Sequence, residues 1–381
     1  YRMIKRKRCM NACSPGLGKS IQALAALSYF RVPDTTNDLI VCPSYLTANW
    51  MNEVEKWLPD GVSAVVISKA GKKEIDAATA LLLTTPGIKI ISYDLLSNIL
   101  GKYTGAVKRY FNTVVLDESH FIKEAKTTRF KNVAKYLRMA KQIYLLTGTP
   151  SPNRSKELYT QFNLIQPSVF YQYDTFAFRY CDAKYDKFNR FDDRGSSNTK
   201  ELSYIMSMLA IRMRREDHLD DLPSVTREKI VIQPTTISKR FSTQKTKFIN
   251  ELNKIESNES AMFNVQSMAS EMFRLTATIK EKPVIEYLKG YIDDPELEKT
   301  ILFCNHQSML GAITKFLTEA NIDHVEISGQ TDKIGRIERI DRFLNDPGCM
   351  FAALTTGTCA TGLNIVPVRR MVFCELNWSP A

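Results

Sequence analysis

The sequence predicts an α/β fold in which two parallel-sheet lobes are separated by a largely helical insertion. First, short apolar runs typical of strands alternate with amphipathic helical segments from about residue 9 to residue 146. Second, the same alternation returns between about residues 300 and 374. Strands that alternate with helices favour a parallel sheet covered on both faces, so the two regions predict two such sheets.

The first lobe is predicted to begin with an apolar run that leads into a glycine turn. A helix follows the turn, and a second amphipathic helix is marked by Trp50, Val54, Trp57 and Leu58. The apolar runs that we interpret as strands are residues 39–42, 64–67, 88–93, 113–116 and 142–146. Ligands of such sheets bind at the carboxyl ends of the strands.

The pattern changes between residues 151 and 282. Helical spacing occurs around residues 158–165, 202–213 and 238–280, and an aromatic-rich polar stretch covers residues 170–198. Pro283 is expected to open a helix that leads to strands at 300–304, 324–327, 350–354 and 371–374, with helices at 307–320 and 335–345. We therefore expect a first lobe over residues 1–165, an insertion over 166–285 and a second lobe over 286–381.

The chain of 381 residues has an ordinary globular composition, and its net charge is +11. The charge favours a polyanionic partner such as nucleic acid, although many basic globular proteins bind none.

We expect no membrane span, since no run of about 18 apolar residues occurs, and no secretory signal. The eight cysteines form no C-x-x-C pair, so we expect buried thiols, no zinc ribbon and an intracellular location.

A turn that ends in lysine and serine follows the first apolar run. It consists of Gly16, Leu17, Gly18, Lys19 and Ser20. Backbone N–H groups of such a turn, with the N-terminus of the following helix, can hold phosphate oxygens. Lys19 would neutralise the β- and γ-phosphates, and the Ser20 hydroxyl would join a Mg²⁺ shell. The alternative is an accidental turn at the start of a helix.

A second segment ends a predicted strand with two acids, Asp117 and Glu118. Adjacent carboxylates rarely serve a core, because burying them unpaired costs free energy. We expect Asp117 to hold Mg²⁺ and Glu118 to polarise the water that attacks ATP. The alternative is an exposed pair in a loop. His120 follows, and its position alone does not make it a base.

Two further segments place hydroxyl groups after predicted strands. Thr147 and Thr149 can sense nucleotide and pass movement to a second domain, or form an ordinary strand exit. Thr355, Thr356 and Gly362 lie in a run of small residues that allows close backbone approach to phosphate, with a flexible turn as the alternative.

Two segments of the insertion have two interpretations each. The aromatic and basic stretch 170–198 can stack nucleic-acid bases or form a small satellite core, and we favour the core. Arg212, Arg214 and Arg215 can contact a phosphate or pair with nearby acids.

In this order the motifs resemble the Swi/Snf-like branch of superfamily-two helicases, which are ATP-driven DNA translocases. Residues 16–20 resemble helicase motif I, 42–44 with Trp50 and Glu53 motif Ia, 92–94 motif Ib, 117–120 motif II and 147–150 motif III. Residues 303–306, 329–343 and 355–364 match the later motifs up to motif V. Residues 179–184 and 195–198, with 117–123, resemble the HepA-related annealing helicases, which rewind or remodel branched DNA.

The resemblance implies two RecA-like lobes that use ATP and Mg²⁺ and act on DNA. It implies catalysis by Lys19, Asp117 and Glu118, with Ser20 and Asp117 as metal ligands. Nucleotide would be held by residues 16–20 and Gly362, and coupling would involve His120, Thr147 and Thr149. The expected DNA contacts are Ser44, Tyr93, Thr355 and Thr356.

The chain departs from the family pattern at several points. The family usually carries two acids before Gly16, whereas this chain has Cys13, Ser14 and Pro15 there, and the second arginine of the family's protrusion is replaced by Met213. The strict P-loop pattern is not met either, because its usual first glycine falls at Cys13. The sequence also ends before motif VI, which supplies arginine fingers in the family.

We therefore predict an ATP-dependent DNA translocase that remodels or reanneals duplex or branched DNA. A strand-separating helicase or a nucleosome remodeller is the alternative among enzymes, and a nucleotide- and DNA-binding scaffold with little turnover is the alternative from another class. The expected location is DNA-associated, in the nucleus if the source is eukaryotic.

Overall fold

The computed structural model of the chain describes residues 1–68, 75–102, 111–151, 153–187, 189–217, 226–233, 239–253, 259–294, 297–359 and 368–376. It divides into two compact units, Tyr1–Ser224 and Val225–Pro380, called here the first and second units. Each unit contains a parallel sheet of its own.

Helices and strands alternate through most of the first unit. In chain order its elements are α1 (Arg2–Arg6), β1 (Arg8–Asn11), α2 (Lys19–Phe30), β2 (Asn37–Cys42), α3 (Thr47–Trp57), β3 (Ala64–Ile67), α4 (Ile75–Thr84), β4 (Gly87–Ser92), α5 (Tyr93–Lys102), β5 (Thr113–Asp117), α6 (Thr128–Leu137), β6 (Gln142–Leu146), α7 (Glu157–Ile165), α8 (Tyr173–Tyr180), β7 (Lys184–Tyr185), β8 (Phe191–Asp192), α9 (Thr199–Leu209) and β9 (Ala210–Ile211). Short 3₁₀ turns occur at Ser119–Ile122 and Arg215–Asp217.

Seven strands of the first unit form one sheet in the order β3-β4-β2-β5-β6-β1-β9. Every pair in this sheet is parallel. The expected parallel sheet is therefore confirmed. Because all strands run in the same direction, the end of β1, which leads into the glycine turn, and the end of β5, which carries the acids, reach the same edge.

Apolar side chains cover both faces of this sheet. Met10, Leu116 and Leu145 belong to one cluster, which helices α5, α6 and α7 complete. Their chain neighbours, such as Val115 and Leu146, belong to the other cluster with helices α2 and α3. This alternation is the period of two expected for strands buried on both faces, and it holds the carboxyl edge between two helical layers.

The end of α9 corrects a prediction. Helical spacing around residues 202–213 predicts a longer helix, but the chain leaves the helix at Leu209 and forms β9. β9 pairs in parallel with β1, with Met10 opposite Ala210 and Asn11 opposite Ile211. The free N–H and C=O groups along the outer side of β1 favour this pairing, which local periodicity does not reveal.

The aromatic-rich stretch contributes to both the core and the surface. Phe170 and Phe176 are buried in the core of the first unit. Phe178, Tyr185 and Phe191 form a second group around the β7–β8 hairpin, with ring centroids 5.3 to 6.4 Å apart. Phe178 and Tyr185 are exposed. The stretch thus packs partly as a core, as favoured above, while base stacking by its exposed rings stays the alternative.

The second unit is a smaller α/β body. Its elements are α10 (Lys239–Leu252), α11 (Glu259–Ile292), β10 (Thr300–Cys304), α12 (Gln307–Glu319), β11 (His324–Ile327), α13 (Lys333–Asn345), β12 (Phe351–Thr355), α14 (Thr356–Cys359) and β13 (Arg370–Phe373). The four strands are parallel in the order β11-β12-β10-β13, and apolar clusters cover both faces. The predicted second sheet is confirmed.

The sequence predicts that Pro283 opens a helix, but the structure places it inside α11. Proline lacks the N–H for one intrahelical hydrogen bond and usually kinks or ends a helix. The helix continues because Val284 and Leu288, just beyond the proline, are buried in the core of the second unit. The division of the chain at residues 165 and 285 stays a prediction.

The cysteines of the described residues are consistent with reduced, buried thiols. Seven of them are free and buried, at positions 9, 13, 42, 181, 304, 349 and 374. Within the described ranges, no helix combines the length and apolar character needed to cross a membrane.

Candidate functional site

The glycine turn joins β1 to α2. Gly16 and Gly18 have φ angles of +85° and +69°, a conformation that costs residues with a Cβ about 1–2 kcal/mol. A Cβ on Gly18 would also lie 3.0 Å from Cγ2 of Ile21. Because α2 begins at Lys19, the unpaired N–H groups and the positive end of the helix dipole lie at the turn.

Cys13 does not disturb this turn. Its side chain is fully buried, with Sγ 3.8 Å from the carbonyl oxygen of Ile211. Burial raises the pKa of the thiol, so it stays neutral in the core. Cys13 is not among the residues with positive φ, so its position does not require glycine.

Two amide side chains that the sequence analysis missed hold the turn. Asn11 donates from Nδ2 to Oε1 of Gln22 at 3.0 Å and accepts the N–H of Cys13 at 3.2 Å. Gln22 donates from Nε2 to the carbonyl oxygen of Leu17 at 2.7 Å. The only signal in the sequence is that an apolar strand ends in an asparagine.

The ammonium group of Lys19 lies against the turn. Its Nζ donates to the carbonyl oxygens of Cys13 at 3.1 Å and Ser14 at 3.5 Å. Its charge also acts on Asp117, so the lysine and the carboxylate share one edge of the sheet. A phosphate oxygen would be a stronger, charge-assisted partner for this ammonium than a neutral carbonyl.

Asp117 is the last residue of β5, and both of its carboxylate oxygens accept hydrogen bonds. Nε1 of Trp50 donates to Oδ2 at 2.8 Å, and the backbone N–H of Glu118 donates to Oδ1 at 3.0 Å. Burial raises the pKa of Asp117 to about 6, while the hydrogen bond from Trp50 and the charge of Lys19 oppose that shift. The carboxylate keeps further lone pairs, so it fits a divalent cation that prefers oxygen ligands, such as Mg²⁺.

Glu118 begins a short chain of polar contacts. Its φ of +48° is unusual for a residue with a side chain, and such strain clusters at functional sites. Its Oε2 lies 3.3 Å from Nδ1 of His120, which lies 3.4 Å from Oγ1 of Thr147. The same threonine oxygen accepts the N–H of Thr149 at 3.1 Å. The acid after β5 is thus linked to the residues that end β6.

A buried glutamine that sequence reasoning missed strengthens this link. Gln161 of α7 accepts the hydroxyl of Ser119 at 2.7 Å and donates to the carbonyl oxygen of Pro150 at 2.6 Å. A Cβ on Gly148 would lie 3.5 Å from Cγ of Pro15, so the exit of β6 also touches the glycine turn. No local sequence pattern marks Gln161 as a bridge.

The structure does not place the side chain of Tyr93 on the surface, where a contact to DNA would require it. Its side chain is only 1% exposed, and its hydroxyl donates to the backbone oxygen of Asp117 at 2.7 Å. A buried, bonded hydroxyl does not reach a DNA phosphate, so the side chain instead positions the acidic pair. Ser44, by contrast, is exposed after β2.

The second unit brings its hydroxyl residues to the carboxyl ends of β10 and β12. Thr355 is the last residue of β12 and is buried. Thr356 donates from Oγ1 to the carbonyl oxygen of Cys304 at 3.0 Å. Gly362 lies outside the described residues, and the roles expected for these three residues stay predictions.

The sequence matches two family descriptions and several curated proteins. It matches the SNF2-related domain over residues 5–282 and the helicase conserved C-terminal domain over residues 283–381. It is 30% identical to the DNA annealing helicase and endonuclease ZRANB3 of Homo sapiens, covering 100% of this chain and 35% of that protein. It is 29% identical to the SWI/SNF-related matrix-associated actin-dependent regulator of chromatin subfamily A-like protein 1 of Xenopus tropicalis, covering 100% and 38%. The chain spans a little over a third of the length of these relatives.

The fold is also found in a solved structure. The helicase domain of Pyrococcus furiosus Hef is similar with a TM-score of 0.52 and 13% identity, over 99% of this chain and 88% of that one. With the two parallel sheets, this likeness confirms the predicted α/β fold with two RecA-like lobes.

Proposed function

The chain belongs to the SNF2-related domain family, and we propose that it is a DNA-stimulated ATPase that translocates on duplex or branched DNA. The observation that carries this proposal is that the glycine turn with Lys19 and the acids Asp117 and Glu118 lie at the carboxyl edge of one parallel sheet, where the charge of Lys19 acts on Asp117. A phosphate-binding turn facing two acids is the arrangement that ATP hydrolysis uses in P-loop enzymes. The similarity to a DNA annealing helicase supports DNA as the track.

In this mechanism the glycine turn and α2 bind the phosphates. Backbone N–H groups of residues 16–20 would donate to phosphate oxygens, as the positive φ angles of the glycines allow. Lys19 would exchange the carbonyl oxygens of Cys13 and Ser14 for the β- and γ-phosphates. The hydrogen bonds of Asn11 and Gln22 keep the turn open for this exchange.

Two side chains suit a magnesium ion. Ser20 supplies a hydroxyl at the start of α2, and Asp117 supplies a half-buried carboxylate at the end of β5. When bound, Mg²⁺ would neutralise charge on the phosphates. Trp50 and the N–H of Glu118 orient the carboxylate in advance, so its ligand geometry does not have to form when nucleotide arrives.

Glu118 is the residue that we assign to the attacking water. Its strained backbone turns the carboxylate away from the strand, where it is 27% exposed and can orient a water molecule. His120 and Thr147 are assigned to coupling, because they relay the position of Glu118 to the end of β6. Thr149 joins this relay through its backbone N–H.

DNA contacts are assigned to exposed or strand-end hydroxyls of both units. Ser44 is exposed after β2. Thr355, the last residue of β12, is buried and Thr356 begins α14, so the DNA contacts expected of these two threonines stay predictions. Contacts to phosphates through such groups carry no sequence information, so binding would be salt-sensitive and largely sequence-independent. The net charge of +11 favours this mode of binding.

Within this class we favour reannealing or remodelling of branched DNA over strand separation, because the ZRANB3 name describes annealing. Strand annealing and strand displacement measured side by side on a forked substrate test this choice. ATP-dependent annealing without net unwinding supports it, and unwinding without annealing rejects it. Lys19→Ala, which removes the phosphate-binding ammonium, is the matched control for ATP dependence.

The presence of Cys13 does not favour the alternative of a nucleotide- and DNA-binding scaffold with little turnover. Cys13, which replaces the first glycine of the P-loop pattern, fills a core position and leaves the turn intact. The chain therefore retains the residues that hold phosphates. A DNA-associated location follows from this function, and its placement in a nucleus stays a prediction.

A further inference from the structure

Three aromatic rings around the β7–β8 hairpin of the first unit are not used by the proposed function. Phe178 of α8, Tyr185 of β7 and Phe191 of β8, called here the aromatic cluster, have ring centroids 5.3 to 6.4 Å apart. Phe191 packs against the core, whereas Phe178 is 51% exposed and Tyr185 is 56% exposed. Single exposed apolar side chains are ordinary, but a contiguous group of large exposed rings marks an interaction surface.

Polar contacts at its base hold the hairpin in place. Asp193, directly after β8, accepts the hydroxyl of Tyr173 at 2.7 Å and the ammonium group of Lys156 at 3.1 Å. Ser197 donates its hydroxyl to the carbonyl oxygen of Arg179, at the end of α8, at 2.8 Å. Because these contacts anchor the hairpin, the exposed rings of the aromatic cluster can meet a partner without moving its backbone.

Positive charge flanks the aromatic cluster. Nζ of Lys126 lies 5.7 Å from the centroid of the Phe191 ring, and Lys184 is exposed beside Tyr185. The carboxylates of the hairpin are engaged by arginines at 2.7 Å, in the pairs Asp186–Arg190 and Asp192–Arg194. The surroundings of the rings therefore favour a partner that carries negative charge next to a flat apolar group.

The aromatic cluster also lies near the part of the first unit that is expected to contact DNA. Lys126 lies three residues before Arg129, which donates from Nε to Oδ1 of Asp94 at 3.1 Å. Asp94 is in the first turn of α5, directly after β4, and β4 neighbours β2 in the sheet. Ser44, which we assign to DNA, follows β2. Short steps within one unit thus connect the rings with this edge of the sheet.

We propose that the aromatic cluster stacks on an unpaired base at a DNA branch, with Lys126 and Lys184 next to the neighbouring phosphates. The inference rests on the proposed function and specifies which feature of branched DNA the first unit recognises. Every base has a π-face, so stacking on aromatic side chains needs no particular sequence. Bases inside a duplex already stack on their neighbours, so this surface would distinguish a branch from plain duplex DNA.

Four substitutions separate base stacking from other roles of the aromatic cluster. Tyr185→Ala removes an exposed ring, and Tyr185→Trp keeps a face on which a base can stack. Lys126→Gln removes the charge beside Phe191. Tyr29→Ala is the matched control, because Tyr29 is also exposed but lies on α2, which packs on the opposite face of the sheet.

Binding is measured by fluorescence anisotropy without nucleotide, on a fluorescein-labelled fork with single-stranded arms and on a plain duplex. Tyr185→Ala is expected to weaken fork binding roughly fivefold to tenfold and to leave duplex binding unchanged. Tyr185→Trp and Tyr29→Ala should match the wild type on both. Lys126→Gln should reduce the slope of log K against log salt on the fork by about 0.7, as expected for one phosphate of a single strand.

A second measurement reports stacking directly. The fluorescence of 2-aminopurine is quenched when the base stacks, so this base is placed at the first unpaired position of the fork. The wild type and Tyr185→Trp should change its fluorescence on binding, and Tyr185→Ala at saturating concentration should not. Thermal unfolding of each variant shows whether the first unit stays folded.

The outcomes distinguish the inference from the function on which it rests. If Tyr185→Ala binds the fork as tightly as the wild type, the inference is overturned. Equal losses on fork and duplex would assign the ring to the DNA backbone and overturn it as well. Self-association of the wild type that Tyr185→Ala abolishes, with fork affinity unchanged, would assign the aromatic cluster to a second copy of the chain. In these cases duplex binding leaves the proposed function standing, whereas a wild type that binds neither DNA refutes that function.

Discussion

Nε1 of Trp50 donates a hydrogen bond of 2.8 Å to Oδ2 of Asp117, 67 positions further along the chain. The indole is buried on α3, and the carboxylate ends β5, so the bond joins the motif Ia helix to the motif II acid. Burial raises the pKa of Asp117 to about 6, and the bond from Trp50 opposes that shift. The tryptophan therefore helps keep the expected metal ligand ionised near neutral pH.

Trp50→Phe is expected to move the acid limb of the ATPase pH profile to higher pH. Asp117 serves as a carboxylate, so activity falls as pH decreases through its pKa, and loss of a hydrogen bond to the charged form raises that pKa. ATP hydrolysis measured against pH at limiting Mg²⁺ checks this. Trp57→Phe is the control, because the exposed Trp57 on the same helix donates to Glu53 and not to Asp117. An unmoved acid limb in Trp50→Phe would contradict the prediction.

Tyr93→Phe tests the corrected role of Tyr93. Removal of its hydroxyl leaves the backbone oxygen of Asp117 without this donor, and we expect a loss of about 1–2 kcal/mol in the free energy of unfolding. ATP hydrolysis should fall, while duplex affinity and its salt slope stay unchanged. Ser44→Ala should do the opposite, weakening duplex binding without a change in thermal stability. Reduced DNA affinity in Tyr93→Phe at intact stability would restore the original assignment.

Thr147→Val is expected to uncouple DNA binding from hydrolysis. Valine keeps the shape of threonine but cannot accept the N–H of Thr149 or contact Nδ1 of His120. The ratio of the DNA-stimulated to the DNA-free ATPase rate should fall about tenfold, as expected for loss of about 1.4 kcal/mol of coupling. Thr149→Val retains the backbone N–H that the relay uses, and it should keep most of the stimulation. Equal ratios of DNA-stimulated to DNA-free ATPase rate in Thr147→Val and Thr149→Val would contradict a coupling role for the contacts of the Thr147 hydroxyl.

Arg8→Met is expected to destabilise the first unit strongly. The guanidinium donates to the carbonyl oxygens of Leu164, Arg138 and Ala140, which lie at or near the ends of α6 and α7. Its loss leaves several carbonyls without a donor and should cost about 2–4 kcal/mol. Arg6→Met is the control, since Arg6 donates to the carbonyl oxygen of Ala210 alone among its described hydrogen bonds. Chemical denaturation monitored by circular dichroism measures the difference in the free energy of unfolding. Equal losses in the two variants would contradict a stabilising role for the hydrogen bonds of Arg8.

The sequence was sufficient for those parts of the fold that local patterns encode. Apolar runs such as 39–42 and 113–116 predict buried strands, and the shared direction of parallel strands predicts that Lys19 and Asp117 lie at one edge of the sheet. The glycine turn is also predictable from the sequence, because glycine adopts positive φ without the steric cost that residues with a Cβ incur.

The remaining features depend on contacts between distant residues. β9 forms because β1 offers an open side, although the residues around Ala210 follow a helical period. The bridge made by Gln161 and the burial of Tyr93 follow from packing of α7 and α5 on the sheet, which no spacing along the chain records. The contact between His306 and Glu375, 69 positions apart, likewise cannot be predicted from local sequence spacing.

The ATPase rate of this protein with and without forked DNA tests the central claim most directly. The account predicts that DNA raises the rate severalfold, and that Glu118→Gln still binds ATP but hydrolyses it at least a hundredfold more slowly, as expected for loss of a group that activates water. A rate that DNA leaves unchanged, or wild-type turnover in Glu118→Gln, would contradict it.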